Sequence, residues 1–185
     1  MEGGIDAVTE VPAERWDIDA WYDADPDAPG KMVTRWGGFL SDLERFEPGF
    51  FGMSAREAAS VDPQLRLMLE TTWEALERAG IPADRLMGSD TGVFMGLNGN
   101  EYQLRTLGDL RTVEAYDLLG ASHASMVGRL SYWLGLKGPN MPLNTTCSSS
   151  LVAVHLGCQA LQSGECSLVL AGGANVTLDP AGTVA

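Results

Sequence analysis

The chain has 185 residues, 45% of them apolar and 20% charged, which sets one folded domain as the starting expectation. Twelve Lys and Arg stand against 25 Asp and Glu, a formal net charge of −13. That balance excludes nucleic acid and anionic membrane surfaces as partners, because both require a basic face.

Residues 1–60 are rich in Pro, Gly, Asp and aromatics, and "WYDADPDAPGKMVTRWGGF" sustains neither a helical nor a strand period. A long ordered loop is predicted here. Trp16, Trp21, Tyr22, Trp36 and Phe39 are expected to pin it to a core or a partner. An α/β portion is expected over residues 61–185. In "VDPQLRLMLETTWEALERAGIP", Asp62 is the predicted N-cap and Pro63 the first residue of a helix. Leu65, Leu69, Thr72, Trp73, Leu76 and Ala79 fall on one face, and Gly80 with Pro82 stop it. Thr91–Leu97, short and glycine-bounded, predicts a buried strand.

A second helix is expected over Val113–Leu134, interrupted at Gly120 and Gly128 and ended by Gly138-Pro139. "MPLNTT" predicts a strand running to Thr145. A helix from Cys147 to Gln162 should follow, and "SLVLAGGANV" reads as another buried strand. Strands alternating with helices give an α/β layer with a parallel sheet.

Three cysteines occur, Cys147, Cys158 and Cys166, at spacings that match no common zinc pattern, so no metal site is expected. No leader and no run of about 18 apolar residues is visible, so a cytoplasmic protein with reduced thiols is expected. The N-x-T sequons at Asn144 and Asn175 are then chance matches.

A thiol placed as Cys147 is can be a nucleophile, a metal ligand or ordinary packing. At a helix start, free N–H groups and the helix dipole favour a thiolate. Ser148, Ser149 and Ser150 keep the first turn uncrowded. Leu151, Val152, Val154, Leu156, Cys158 and Leu161 cover nearly every face, the pattern of a buried helix. Strand, turn, nucleophile and buried helix is the arrangement of a nucleophile elbow, although no G-x-S-x-G is present for a serine hydrolase.

An acyl-transferring cysteine needs an acid/base partner. Only His123 and His155 are available. His155 would lie about 12 Å along the same helix, too far to meet the thiol, and is expected to pack inside. His123 carries no mark of a base, and Cys158 and Cys166 read as core or near-core thiols.

The segment "NTTCSSSLVAVHLGCQALQSGECSLVLAGGANV" resembles the active-site segment of the β-ketoacyl synthase (ketosynthase) domain of modular type I polyketide synthases. "VPAERWDIDAWYDADPDAPGKMVTRWGGFL", "FFGMSAREAASVDPQLRLMLETTWEALERAGI", "TGVFMG" and "GRLSYWLGLKGP" are similar to the same family, in order, across essentially the whole chain. The resemblance implies a thiolase-like α/β fold of two βαβαβ-type halves and a homodimer. It implies polyketide or fatty acid biosynthesis by decarboxylative Claisen condensation. The cysteine would take an acyl group from the phosphopantetheine thioester of an acyl carrier protein, with no cofactor bound by this segment itself. The nucleophile carries over to Cys147, whose backbone N–H would supply one oxyanion donor. Thr146 and Ser148, beside the thiol, are the candidate substrate-binding residues.

The resemblance also places two supporting histidines and the other oxyanion donor in a later half. An opening strand would precede Met1. Residues 1–185 are therefore expected to be a partial ketosynthase N-terminal domain within a larger polyketide synthase, inactive by itself. The alternative is a remnant that only packs against other chains as a dimerisation or scaffold piece. Where the family usually has Asp-Thr-Ala-Cys, this chain has Asn144-Thr145-Thr146-Cys147. Asn144 lacks the charge, Thr146 adds bulk beside the thiol, and Asn140 is polar for its place after "GP".

Overall fold

The computed structural model describes residues 3–99, 101–108, 111 and 113–184. Residues 1 and 2 of the predicted loop segment, and Ala185, lie outside them. The chain divides into two units: residues up to Leu43 together with those from Val176, and Glu44–Asn175.

In the first unit, β1 (Val8–Glu10) precedes α1 (Ile18–Trp21), and β2 (Trp36–Gly38) pairs antiparallel with β1. These elements are too short to show a period, which is why the sequence predicts only loop. Val11, Trp16 and Met32 form a small core, with Phe39 edge-on to Trp16 at 5.8 Å. The expectation that all the aromatics pin the segment needs correction. Trp36 is 60% exposed and Trp21 39%. Arg35 instead organises the surface, pairing with Glu10 at 2.6 Å and Asp19 at 2.8 Å over the Tyr22 ring.

The second unit begins with α2 (Ala55–Ser60), capped by Ser54, and α3 (Pro63–Arg78). Asp62 Oδ1 accepts the Gln64 N–H at 2.8 Å, as its N-cap position predicts. Leu65, Leu69, Thr72 and Leu76 are buried as the stripe requires, joined by Met68. Ala79 is only the exposed C-cap. The end is a Schellman motif: Gly80 takes φ +65°, Ile81 N–H donates to Leu76 O, and Gly80 N–H donates to Glu77 O, both at 3.0 Å. Half-buried Trp73 packs on Phe50 at 4.9 Å and on Trp133 at 5.9 Å, so aromatics from the predicted loop segment belong to this core.

Asp62 is 2% exposed, and burial pushes its carboxyl above the usual carboxylate range. An acid whose pKa is raised on folding binds its proton more tightly in the folded state, so stability falls as pH climbs through that raised value. Asp62→Asn keeps a capping oxygen and removes the buried charge. We expect it to be at least as stable as wild type at neutral pH, with the advantage vanishing in acid. Asp62→Ala should instead lose about 1 kcal/mol. Urea midpoints measured across pH check both.

A single 3₁₀ turn (Ala83–Leu86) leads to β3 (Gly92–Leu97), the strand predicted, with all six residues buried. Next come α4 (Glu101–Thr106), α5 (Ala115–Gly120) and α6 (His123–Leu134). The helix predicted over Val113–Leu134 is thus two helices, and α4 was not foreseen. The break at Ala121-Ser122 follows a close approach. A Cβ on Gly120 would lie 2.2 Å from Ser60 O, and Gly120 O accepts the Asp62 N–H at 3.0 Å. At Gly128, inside α6, an added Cβ meets nothing within 4 Å. Gly128→Ala is therefore expected to raise stability by about 0.5–1 kcal/mol, read as an upward shift in melting temperature.

The remaining elements are β4 (Asn140–Leu143), a 3₁₀ turn (Thr146–Ser148), α7 (Ser149–Gln162), β5 (Val169–Ala174) and α8 (Ala181–Val184), the last in the first unit. β4 stops two residues short of the predicted Thr145, where the chain turns. Asn140 has a use for its polarity: its amide donates to Val127 O at 2.8 Å and to Ser131 Oγ, tying β4 to α6.

The sheet is parallel, in the order β4-β3-β5. The pleat sends Val93, Met95 and Leu97 into one core with α3 and α6, and Phe94 into another with α7. The predicted all-round burial of α7 is corrected here. Its buried residues are Ser149, Ala153, Gly157 and Ala160, a stripe of small side chains against the sheet. At Gly157 a Cβ would lie 2.7 Å from Val169 Cγ1. The larger apolar residues point away, with Leu151 74%, Val154 47% and Leu161 44% exposed, and Cys158 is exposed beside them. Leu156, by contrast, packs partly buried against the α7 core.

Candidate active site

Cys147 sits in the 3₁₀ turn between β4 and α7, two residues before the α-helix proper, with its thiol exposed. Two glycines bring it over the ends of the strands. A Cβ on Gly96 of β3 would lie 2.7 Å from Ser149 C and Ser150 N. On Gly173 of β5 it would meet Ser150 Cβ at 2.9 Å. The first turn of α7 therefore rests directly on main chain.

The turn itself is held by short polar bonds. Thr146 takes φ +54°, a left-handed conformation that β-branched residues rarely adopt, and one that costs about 1–3 kcal/mol. Its N–H donates to Asn144 Oδ1 at 3.1 Å. An Asx turn needs an acceptor and not a charge, so Asn serves at 144 as Asp would. Ser149 Oγ accepts the Thr145 N–H at 2.9 Å and donates to Thr146 O at 2.7 Å. Ser148 Oγ turns back into the loop, donating to Thr145 O at 2.9 Å.

An open pocket of about 340 Å³ lies here, lined by Cys147, Thr146, Ser149 and Ser150, with Gly96 and Gly173 on its floor. Asn98, Ala174 and Asn175 complete the rim. Of the three site residues expected from sequence, Cys147 and Thr146 face this space and the Ser148 hydroxyl serves the turn. The asparagines were missed because each lies just past a strand, where only the sheet brings them together. The glycines Gly96 and Gly173 were the available signal, since glycine inside a strand marks a close approach.

The other thiols are different. Cys166 is buried, and burial pushes its thiol pKa up. Cys158 is exposed on the outer face of α7, which corrects the expectation of a near-core thiol. His155 is likewise exposed, not packed inside. His123 Nε2 donates to Gly99 O at 2.8 Å, holding the loop after β3. A cavity of about 450 Å³ beside α6, lined by Leu65, Leu119 and Tyr132 among others, is larger but carries no nucleophilic thiol. Among the described residues, no group of three or more His, Cys, Asp or Glu is placed to hold a metal, and no helix is long and apolar enough to cross a membrane.

Residues 1–185 match the family described as "Beta-ketoacyl synthase, N-terminal domain". The chain belongs to that family. This ketosynthase chain is 54% identical over 179 residues to the polyketide synthase GfsB of Streptomyces halstedii, covering 96% of itself and 3% of that protein. It is 52% identical over 178 residues to erythronolide synthase EryA2 of Saccharopolyspora erythraea, covering 96% of itself and 5% of that protein. Among solved structures it matches the oxazolomycin ketosynthase domain of Streptomyces albus with a TM-score of 0.90 and 46% identity, over 98% of this chain and 32% of that one. The ketosynthase from module 6 of the bacillaene synthase of Bacillus subtilis matches with a TM-score of 0.82 and 36% identity, over 95% and 28%. The fold is thus that of the ketosynthases, a thiolase-like α/β fold, of which these residues form part.

Proposed function

We propose that this chain carries the acyl-accepting nucleophile of a β-ketoacyl synthase that extends a polyketide or fatty acid chain by decarboxylative condensation. The observation that carries this reading is the exposed thiol of Cys147 at a strand-to-helix turn, opening into a pocket floored by glycine. In the first half-reaction the Cys147 thiolate attacks the thioester carbonyl of an acyl group borne on the phosphopantetheine of an acyl carrier protein. A tetrahedral oxyanion forms, to which the Cys147 N–H would supply one hydrogen bond. Its collapse expels the phosphopantetheine thiolate, which takes a proton, and leaves an acyl-cysteine. In the second, a malonyl-type extender loses CO₂, and its enolate attacks the acyl-cysteine carbonyl, forming the new C–C bond and expelling the Cys147 thiolate.

Neither His123, bonded to Gly99 O, nor His155, on the outside of α7, is placed as the acid/base partner. Those groups come from residues beyond these 185, in cis or from another chain. The partners proposed are an acyl carrier protein, a second copy in a homodimer and the other domains of a cytoplasmic polyketide synthase.

The test is intact mass and peptide mapping of the full-length protein after exposure to an acyl thioester. An adduct on the peptide bearing Cys147, and on neither Cys158 nor Cys166, is expected. A protein that takes no acyl group, yet still assembles with other chains, would instead be the scaffold piece that the exposed apolar face of α7 also fits.

A further inference from the structure

Gln64, the second residue of α3, is only 3% exposed, so its carboxamide must find partners inside the protein. With Oε1 toward the sheet, the amide would oppose two carbonyl oxygens and gain one 3.4 Å contact of Nε2 with Asp62 Oδ2. Turned the other way, Nε2 donates to Asn98 O at 3.1 Å and to Ala174 O at 2.9 Å. Two well-placed bonds outweigh one long one, and a buried amide takes the orientation that uses its donors.

The two acceptors are not ordinary ladder carbonyls. Leu97 opposite Ala174 is the last pair of the β3–β5 ladder, and Asn98 lies just beyond it. Both Asn98 and Ala174 line the pocket of Cys147. Gln64 reaches them from the α3 side of the sheet, while the thiol approaches from the α7 side.

We propose that Gln64 is a positioning residue for the Cys147 site. Its carboxamide clips the ends of β3 and β5 together where the hydrogen-bond ladder stops, and so fixes the width of the pocket. Its role in acyl loading rests on the function proposed above, whereas its control of pocket width does not.

The test uses the full-length protein and two reagents for one thiol, iodoacetamide and its N-octyl derivative, with labelling of the Cys147 peptide followed by mass. The same thiolate attacks both and displaces iodide, so the ratio of their rates cancels the thiolate fraction and reports the fit of the long chain. Gln64→Met keeps length and removes both donors. It is expected to lower the N-octyl to iodoacetamide ratio about tenfold, because a misplaced wall forfeits the orientation that a formed pocket gives. Gln64→Glu should do the same at about pH 8, where a carboxylate opposes two carbonyls, and recover part of the ratio as the pH is lowered and the protonated form donates once. An unchanged ratio in both variants would overturn the proposal. That includes an equal loss of both rates, which is the mark of general destabilisation. Octanoyl thioester loading is measured alongside. A wild-type protein that accepts the N-octyl label at Cys147 but no octanoyl group would sink the acyl-loading function, while the Gln64 ratio still decides the clip.

Discussion

Cys147→Ala in the full-length protein is expected to leave no acyl adduct and to lower condensation by at least about 10³-fold. The nucleophile is the one group in such a mechanism that neighbours do not replace. The hydroxyls of the two serines that follow it are committed elsewhere: Ser148 Oγ donates to Thr145 O, and Ser149 Oγ to Thr146 O. Neither is free to act as a substitute. Cys158→Ala and Cys166→Ala are the matched controls and should load normally. Cys158 lies on the outer face of α7, and Cys166 is buried with its thiol shifted away from the thiolate. Undiminished loading in Cys147→Ala, or an adduct that moves to Cys158, would overturn the assignment. Quantitative intact-mass spectrometry after exposure to the acyl thioester reads all three variants.

Gly96→Ala is expected to cost about 1–3 kcal/mol and to reduce acyl loading in the fraction that remains folded. The added methyl would sit 2.7 Å from Ser149 C and Ser150 N, which are backbone atoms that no rotamer change moves aside. Relief requires lifting the first turn of α7, and that turn carries Cys147. Gly173→Ala presses the same turn more gently, with Ser150 Cβ at 2.9 Å and Gly96 O at 3.1 Å. Because both act on one rigid body, the double variant should cost less than the sum of the singles. Thermal melts combined with loading rates separate the two effects. A Gly96→Ala protein with wild-type melting temperature and loading would refute this account of the site.

What could be read in advance followed from how local each signal is. The α3 helix was legible from Asp62, Pro63, its apolar stripe and Gly80, all within a few turns of one another. β3 was legible because a six-residue buried strand needs no partner to look apolar. The orientation of α7 was not legible, because side-chain size and not hydropathy decides it. Ser149, Ala153, Gly157 and Ala160 face the sheet, where a leucine would not fit, and the more apolar residues face outward. The left-handed Thr146 ran against its own residue type, and Asn98 with Asn175 joined the site only through strand pairing. Cys147 itself was legible as a thiol at a helix start, although it sits within a 3₁₀ turn ahead of the α-helix.

The two floor glycines also bear on how such a site diverges. A floor of bare main chain carries no side-chain chemistry to vary, and any substitution at Gly96 or Gly173 collides before it selects. Variation is thereby channelled to the rim, where Asn98 and Asn175 meet the same space without supporting α7. A mutant library intended to change which chains the pocket admits should be randomised at those two rim positions. The same diversity placed on the floor would return mostly unfolded members.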